Sequence, residues 1–125
     1  MEDNKKLSFS DVEWHIMNAL WKLGEPTLSQ VVEAVKEFGW TKHAVFSFLK
    51  RLEGKGMVEN DSTLRPSRYR ALVAKEFAVR QETHSILHRV FDGDLMLMMT
   101  SAVGTASLTE EEAQELIRLI EKAGE

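Results

Sequence analysis

The 125-residue chain has no cysteine, and only two prolines, one tyrosine and seven glycines. Without cysteine there is no disulfide, no thiolate metal site and no cysteine nucleophile, which fits a reducing cytosol. No apolar run approaches the roughly 20 residues that cross a bilayer. The opening "MEDNKKLSFS" lacks the apolar core of a signal peptide. A soluble, cytoplasmic protein with no membrane partner is therefore expected. There is no Gly-rich phosphate loop and no catalytic constellation, so neither an enzyme nor a cofactor is expected. The acidic run "EEE" at 110–112 suits the first turn of a helix, where the macrodipole favours negative charge.

A net charge of −4 speaks against a nucleic-acid binder until its distribution is considered. Residues 1–73 hold 11 Lys+Arg and 10 Asp+Glu, a balance of +1, and residues 74–125 hold 5 and 10, a balance of −5. Between Trp40 and Leu72 the counts are 7 and 3, a balance of +4. Screening cuts off distant charges within about 10 Å, so a local basic surface can still attract phosphate.

The chain is punctuated clearly. "SDVEW" carries a capping box, with Ser10 as N-cap and Glu13 three residues on. Val12, Ile16, Met17, Leu20 and Leu23 then follow at helical spacing up to Gly24. Thr27 and Gln30 repeat the box before a second helix, with Leu28, Val31, Val32 and Val35 inward and an end near Gly39. Thr41 starts a third helix with a stripe of Val45, Phe48, Leu49 and Leu52, stopped by Gly54 and Gly56. "MVEND" and "SRYRALV" predict two short strands joined by "STLRP", with Pro66 tolerable only at an edge or strand start. A fourth helix is expected over Lys75–Phe91, with Phe77, Ile86, Leu87, Val90 and Phe91 as its apolar positions, broken by "DGD". "LMLMMTSAV" predicts a short apolar fifth helix, and Gly104–Ser107 a loop. Leu108 forms a hydrophobic staple before the Thr109 cap of a sixth helix, which carries Leu116, Ile117, Leu119 and Ile120 on one side.

The fold class expected is mainly α with a small β-hairpin: a winged helix-turn-helix followed by a C-terminal helical dimerisation region. In this arrangement the third helix enters the major groove and the hairpin wing touches the backbone. On a wheel at 100° per residue, His43, Ser47 and Lys50 point away from the stripe centred near Val45 and Leu52. Lys42 and Phe46 lie on one flank, Ala44 and Arg51 on the other. The outward face is small, polar and basic, as a groove-reading face should be. Phe46 has two readings, packing against the neighbouring helix or wing and apolar contact with a thymine methyl; burial favours the first. Arg65, Arg68 and Arg70 in and beside the hairpin suit phosphate contacts, and Tyr69 between two of them suits a core anchor.

The order and spacing of "SDVEWHIMNALW", "WTKHAVFSFLKRLEGKG", the Arg65–Tyr69 wing, "RQET", "FDGDL" and "LTEEEAQELIRLIEK" resemble the penicillinase-repressor family, the group of BlaI, MecI and CopY, from about Leu7 to Lys122. The resemblance implies a homodimeric winged-helix repressor that binds a palindromic operator, with interlocked C-terminal helices. It implies a DNA-binding part at 7–73 and a dimerisation part at 74–125. It places Thr41, Lys42, His43, Ser47, Lys50 and Arg51 at DNA-facing or phosphate-contacting positions. Phe46, Arg65 and Arg68 complete the candidate DNA site. The family commonly has Thr at the position of Ala44 and often a polar residue at that of Phe46. The Asn-Phe bond cut in the β-lactam-responsive members aligns with Ser101-Ala102, and the Cys pairs of the copper-responsive members have no counterpart. The partner that releases the repressor, a protease or a sensor, is not written in the sequence.

The candidate dimer residues are Leu95, Met98, Met99, Val103, Leu116, Ile117, Leu119 and Ile120, more apolar surface than a short tail buries on itself. His84 and His88 in "HSILH" stand at metal-ligating spacing, yet two histidines are too few for a closed site without Glu82 or a twin helix. Met96, Met98 and Met99 are soft copper(I) donors, but methionine at helical spacing suits packing better. Two rival functions follow: a winged-helix interaction module without DNA binding, and a metal-responsive regulator using His84 and His88.

Overall fold

The computed structural model of the chain describes residues 8–124. Leu7, the expected start of the DNA-binding part, and the polar stretch before it lie outside the described residues. The chain divides into two compact units, one up to Glu82 and one from Thr83 onward.

The first unit opens with α1 (Asp11–Leu23), α2 (Leu28–Ala34) and α3 (Lys42–Gly54), followed by β1 (Val58–Asp61) and β2 (Arg68–Ala71). Both expected capping boxes form: Ser10 and Glu13 exchange hydrogen bonds at the start of α1, and Thr27 and Gln30 at the start of α2. Gly24 leaves α1 at φ 89°, a conformation that favours glycine. The strands pair antiparallel, Val58 with Ala71 through Asp61 with Arg68, and a bridge from Thr27 to Arg68 ties the hairpin to the α1–α2 turn.

The helical stripes converge on one core. Ile16, Met17 and Leu20 of α1, Val31 of α2, and Val45, Leu49 and Leu52 of α3 are fully buried, with Phe9, Val58 and Tyr69 beside them. Each such aliphatic side chain is worth about 1.5–3 kcal/mol relative to exposure. The core therefore holds α3 by its inner face and leaves the opposite face to water. Tyr69 is the anchor expected of it: its ring is buried and its backbone N–H donates to the Pro26 carbonyl at 2.8 Å.

Some boundaries differ from those expected. Leu23, the last residue of α1, is 45% exposed and does not join the inward stripe expected of it. The α-helical geometry of α2 stops at Ala34, where Val35 leaves the helical region (φ −112°, ψ 20°), and a single 3-10 turn, Lys36–Phe38, carries the chain to Gly39. The second strand is shorter than "SRYRALV", since pairing is limited to the four residues opposite β1.

Helix α4 (Lys75–Arg89) runs from the first unit into the second. It turns Ala78 inward, whereas the expected apolar positions Phe77 and Val90 are exposed. It ends two residues before Phe91, and the chain reverses through left-handed Asp92 (φ 53°) and Gly93 (φ 82°). In the second unit, α5 (Leu95–Thr105) is capped by Asp94, whose carboxylate accepts from the Leu97 N–H, and α6 (Glu110–Ala123) by a Thr109–Glu112 capping box. Gly104 lies inside α5 and not in the loop expected there. An interior glycine costs a helix only about 1 kcal/mol, and helical hydrogen bonding continues past it. Among the described residues no helix is long and apolar enough to cross a membrane.

Candidate nucleic-acid interface

The position of α3 is set before its first residue. Trp40 stacks on Phe38 at 4.7 Å between ring centroids and meets Phe48 edge-on at 5.2 Å. His15 of α1 lies against Phe38 at 4.2 Å, so the ring cluster joins α1 to the α2–α3 connection. Thr41 then caps α3, its hydroxyl accepting from the Ala44 N–H at 3.0 Å. With Val45, Leu49 and Leu52 buried, Lys42, His43, Phe46, Ser47, Lys50 and Arg51 are all exposed.

Phe46 does not join the core. Its ring is 38% exposed, and the Lys50 ammonium, one turn on, lies 5.9 Å from the ring centroid. The buried stripe is complete without this side chain. Lys50 also comes within 3.9 Å of Glu53, and the Arg51 guanidinium lies 5.9 Å from the Phe48 ring.

The hairpin tip is shaped by Asp61, whose carboxylate accepts from the Thr63 hydroxyl at 2.5 Å and from its N–H at 3.0 Å. Those bonds hold the Asp61 carboxyl below its ordinary pKa, side-chain bond first and backbone bond second. Leu64, Arg65 and Pro66 project beyond this turn and are exposed. Arg65 forms no ion pair among the described residues.

The three wing arginines are not equivalent. Arg68 donates through Nη1 to the Glu25 carbonyl at 2.9 Å and so fastens the wing to the α1–α2 turn. Arg70 pairs with Glu59, its cross-strand partner, and approaches Glu25 at 3.9 Å. Lys55 is engaged as well: its ammonium lies 2.7 Å from Glu13 and 3.3 Å from the Ser8 carbonyl. Three of the seven cations between Trp40 and Leu72 therefore hold the fold together. The exposed basic surface is carried chiefly by Lys42, Lys50, Arg51 and Arg65.

Sequence spacing identified Glu13 as a cap but missed its burial. Its side chain is only 1% exposed, and Oε2 has no hydrogen-bond partner. Burial pushes its pKa up. The hydrogen bonds from Lys55 and from the Ser10 N–H, with the positive charges of Lys55 and Arg51, outweigh that effect and hold the carboxyl below its ordinary value of 4.5. The missed signal was a lysine just past the end of α3, close in space but 42 residues away.

In the second unit, α5 and α6 enclose a groove of about 430 Å³ lined by Met99, Val103, Leu108, Leu116, Ile117 and Ile120, among others. Leu108 lines it with Ala113, the two positions of the expected staple. Leu95, Met98 and Leu119 are not among its lining residues, and Leu119 lies beside Glu115, Arg118 and Lys122 instead. No residue of α5 or α6 is buried. The rings of His84 and His88 are 4.4 Å apart. No group of three or more His, Cys, Asp or Glu able to hold a metal ion occurs among the described residues.

The sequence profile of the penicillinase repressor family matches residues 9–122. The methicillin resistance regulatory protein MecI of Staphylococcus aureus (strain N315) is 22% identical over 121 residues, which span 96% of this chain and 98% of that protein. The penicillinase repressor of Bacillus licheniformis is 26% identical over 114 residues, 90% of this chain and 89% of its own length. A solved structure concerned with regulation of DNA binding of Bordetella bronchiseptica BpsR by 6-hydroxynicotinic acid aligns with a TM-score of 0.45 at 19% identity, covering 100% of this chain and 84% of that one.

Proposed function

Because the chain belongs to the penicillinase repressor family and is a DNA-binding transcriptional repressor, we propose that it acts in the cytoplasm as a homodimer on a palindromic operator and represses by occluding the promoter. Residues 7–73 supply the DNA-binding part and residues 74–125 the dimerisation part. Helix α3 enters the major groove, where Lys42, His43, Phe46, Ser47 and Lys50 face base edges and Thr41 and Arg51 lie toward phosphates. Arg65 contacts the backbone from the wing. Arg68 acts indirectly, by fastening the wing at the angle it needs. The observation that carries this reading is the polar, basic face of α3, exposed along its length while its inner face is locked in the core.

Two recognition helices on a palindrome must lie about 34 Å apart, a spacing that a symmetric dimer supplies. The apolar α5–α6 surface supports that assembly, with Met96 70%, Leu95 56% and Ile120 61% exposed. Selection of bound DNA from a random-sequence pool tests the reading. An enriched inverted repeat, bound with an affinity that falls steeply with salt, is the expected result. No enrichment at low salt would overturn it in favour of an interaction module.

A further inference from the structure

Phe46 is the one large apolar side chain exposed on the outward face of α3. It stands in the row Lys42–Phe46–Lys50, each member one turn from the next, with the Lys50 ammonium 5.9 Å from the ring centroid. Four residues advance a helix by about 6 Å, so the row spans about 12 Å, three to four base pairs along the groove. The lysines at its ends can donate to phosphate oxygens or to guanine O6 and N7. The ring between them can donate nothing.

We propose that Phe46 is a specificity-determining residue that receives the 5-methyl group of one thymine in each operator half-site. The inference rests on α3 entering the major groove, as argued above. Among the four bases only thymine presents a methyl group there, and an aromatic ring is a suitable apolar contact for it. Against cytosine or guanine the same ring would cover the N4 amino group or O6 and leave a polar atom desolvated without a partner. The contact thus favours thymine and disfavours its alternatives at one position. The ring is also not committed to the buried core, and the Lys50 ammonium lies 5.9 Å from its centroid.

Uracil differs from thymine only by that methyl group, which gives a direct test. The operator is first selected from a random pool with the full-length protein. Each thymine of the half-site is then replaced by uracil, in both half-sites together, and binding is measured for wild type and for Phe46→Ala. At one position uracil should weaken wild-type binding about fourfold per half-site, the factor expected for one buried methyl group, or about fifteenfold for the dimer. Phe46→Ala should weaken binding to the thymine operator by at least that factor and bind the uracil operator equally well. Phe46→Leu, which keeps an apolar side chain, should retain part of the preference. A uracil penalty that is equal in wild type and Phe46→Ala, or absent at every position, would overturn the inference and leave the operator reading intact. Failure to select any operator would overturn both.

Discussion

The Lys55 ammonium, just past the end of α3, lies 2.7 Å from the carboxylate of Glu13 in the first turn of α1. The acid is buried at 1% exposure and the lysine is 41% exposed, so water shares the charge at one end only. The bond connects the proposed recognition helix to the opening turn of the domain. Lys55→Met removes the partner and leaves a buried carboxylate. It should destabilise the protein by about 2 kcal/mol, below the 3–5 expected for a fully buried pair because the lysine is partly solvated. Urea unfolding followed by tryptophan fluorescence checks this, since Trp14, Trp21 and Trp40 all lie in the first unit. An unchanged midpoint would remove the pair from the account of stability.

The same pair sets a pH dependence. The folded-state pKa of Glu13 is depressed below its ordinary value of 4.5. A depressed carboxyl contributes stability that is present above the unfolded pKa and is lost as pH falls through the folded one. Wild type should therefore lose stability below about pH 4.5 more steeply than Glu13→Gln, and the two curves should run parallel above pH 6. Unfolding midpoints measured from pH 3 to pH 7 for both proteins give the comparison.

The wing arginines should separate by role. Arg65→Ala should weaken binding to all DNA sequences alike and lower the salt slope by about 1 per protomer, leaving thermal stability unchanged. Arg51→Ala should do the same to binding. Arg68→Ala should instead lower the unfolding temperature, because it removes the bond to the Glu25 carbonyl. His43→Ala and Ser47→Ala should change which bases are preferred. A shift in base preference from Arg65→Ala, with the salt slope intact, would contradict the backbone role given to the wing.

What could be read in the chain beforehand was what depends on near neighbours. Ser10 with Glu13 and Thr27 with Gln30 announce their helices because a capping bond spans three residues, and Thr109 was legible as a cap for the same reason. The stripe of Val45, Leu49 and Leu52 follows from helical period alone. The exposed face of α3 was legible for the same reason, being the complement of that stripe. What long-range packing decides was not legible. Arg68 suited a phosphate contact until the fold brought the Glu25 carbonyl to it, and nothing near Lys55 in the sequence pointed to Glu13. Phe46 looked more suited to packing than to exposure because residue type predicts average burial, whereas it stands between Lys42 and Lys50 in an exposed row outside the core. Leu119 counted as one of four apolar residues on α6, but the wheel separates it from the face that Ile117 and Ile120 turn toward the groove.

That separation sharpens the test of assembly. Ile117 and Ile120 are 51% and 61% exposed at the mouth of the α5–α6 groove, and α5 adds Leu95, Leu97 and Val103, each about half exposed. Two short helices cannot enclose this surface between themselves, and a second copy offers an identical surface to close it. A half-site alone binds weakly, and pairing makes the second contact effectively intramolecular, so dimer stability controls operator occupancy. Ile117→Asp with Ile120→Asp places two unpartnered carboxylates in the proposed interface, at a cost of several kcal/mol. Wild type should run as a dimer at micromolar concentration by light scattering. The double variant should run as a monomer and lose operator affinity, while its tryptophan fluorescence and that of wild type stay the same. Leu119→Asp, on the face beside Glu115 and Lys122, should have a smaller effect on assembly. A wild-type monomer at that concentration that still binds one operator tightly would overturn the dimer, and an equal loss from Leu119→Asp would move the interface to the other face of α6.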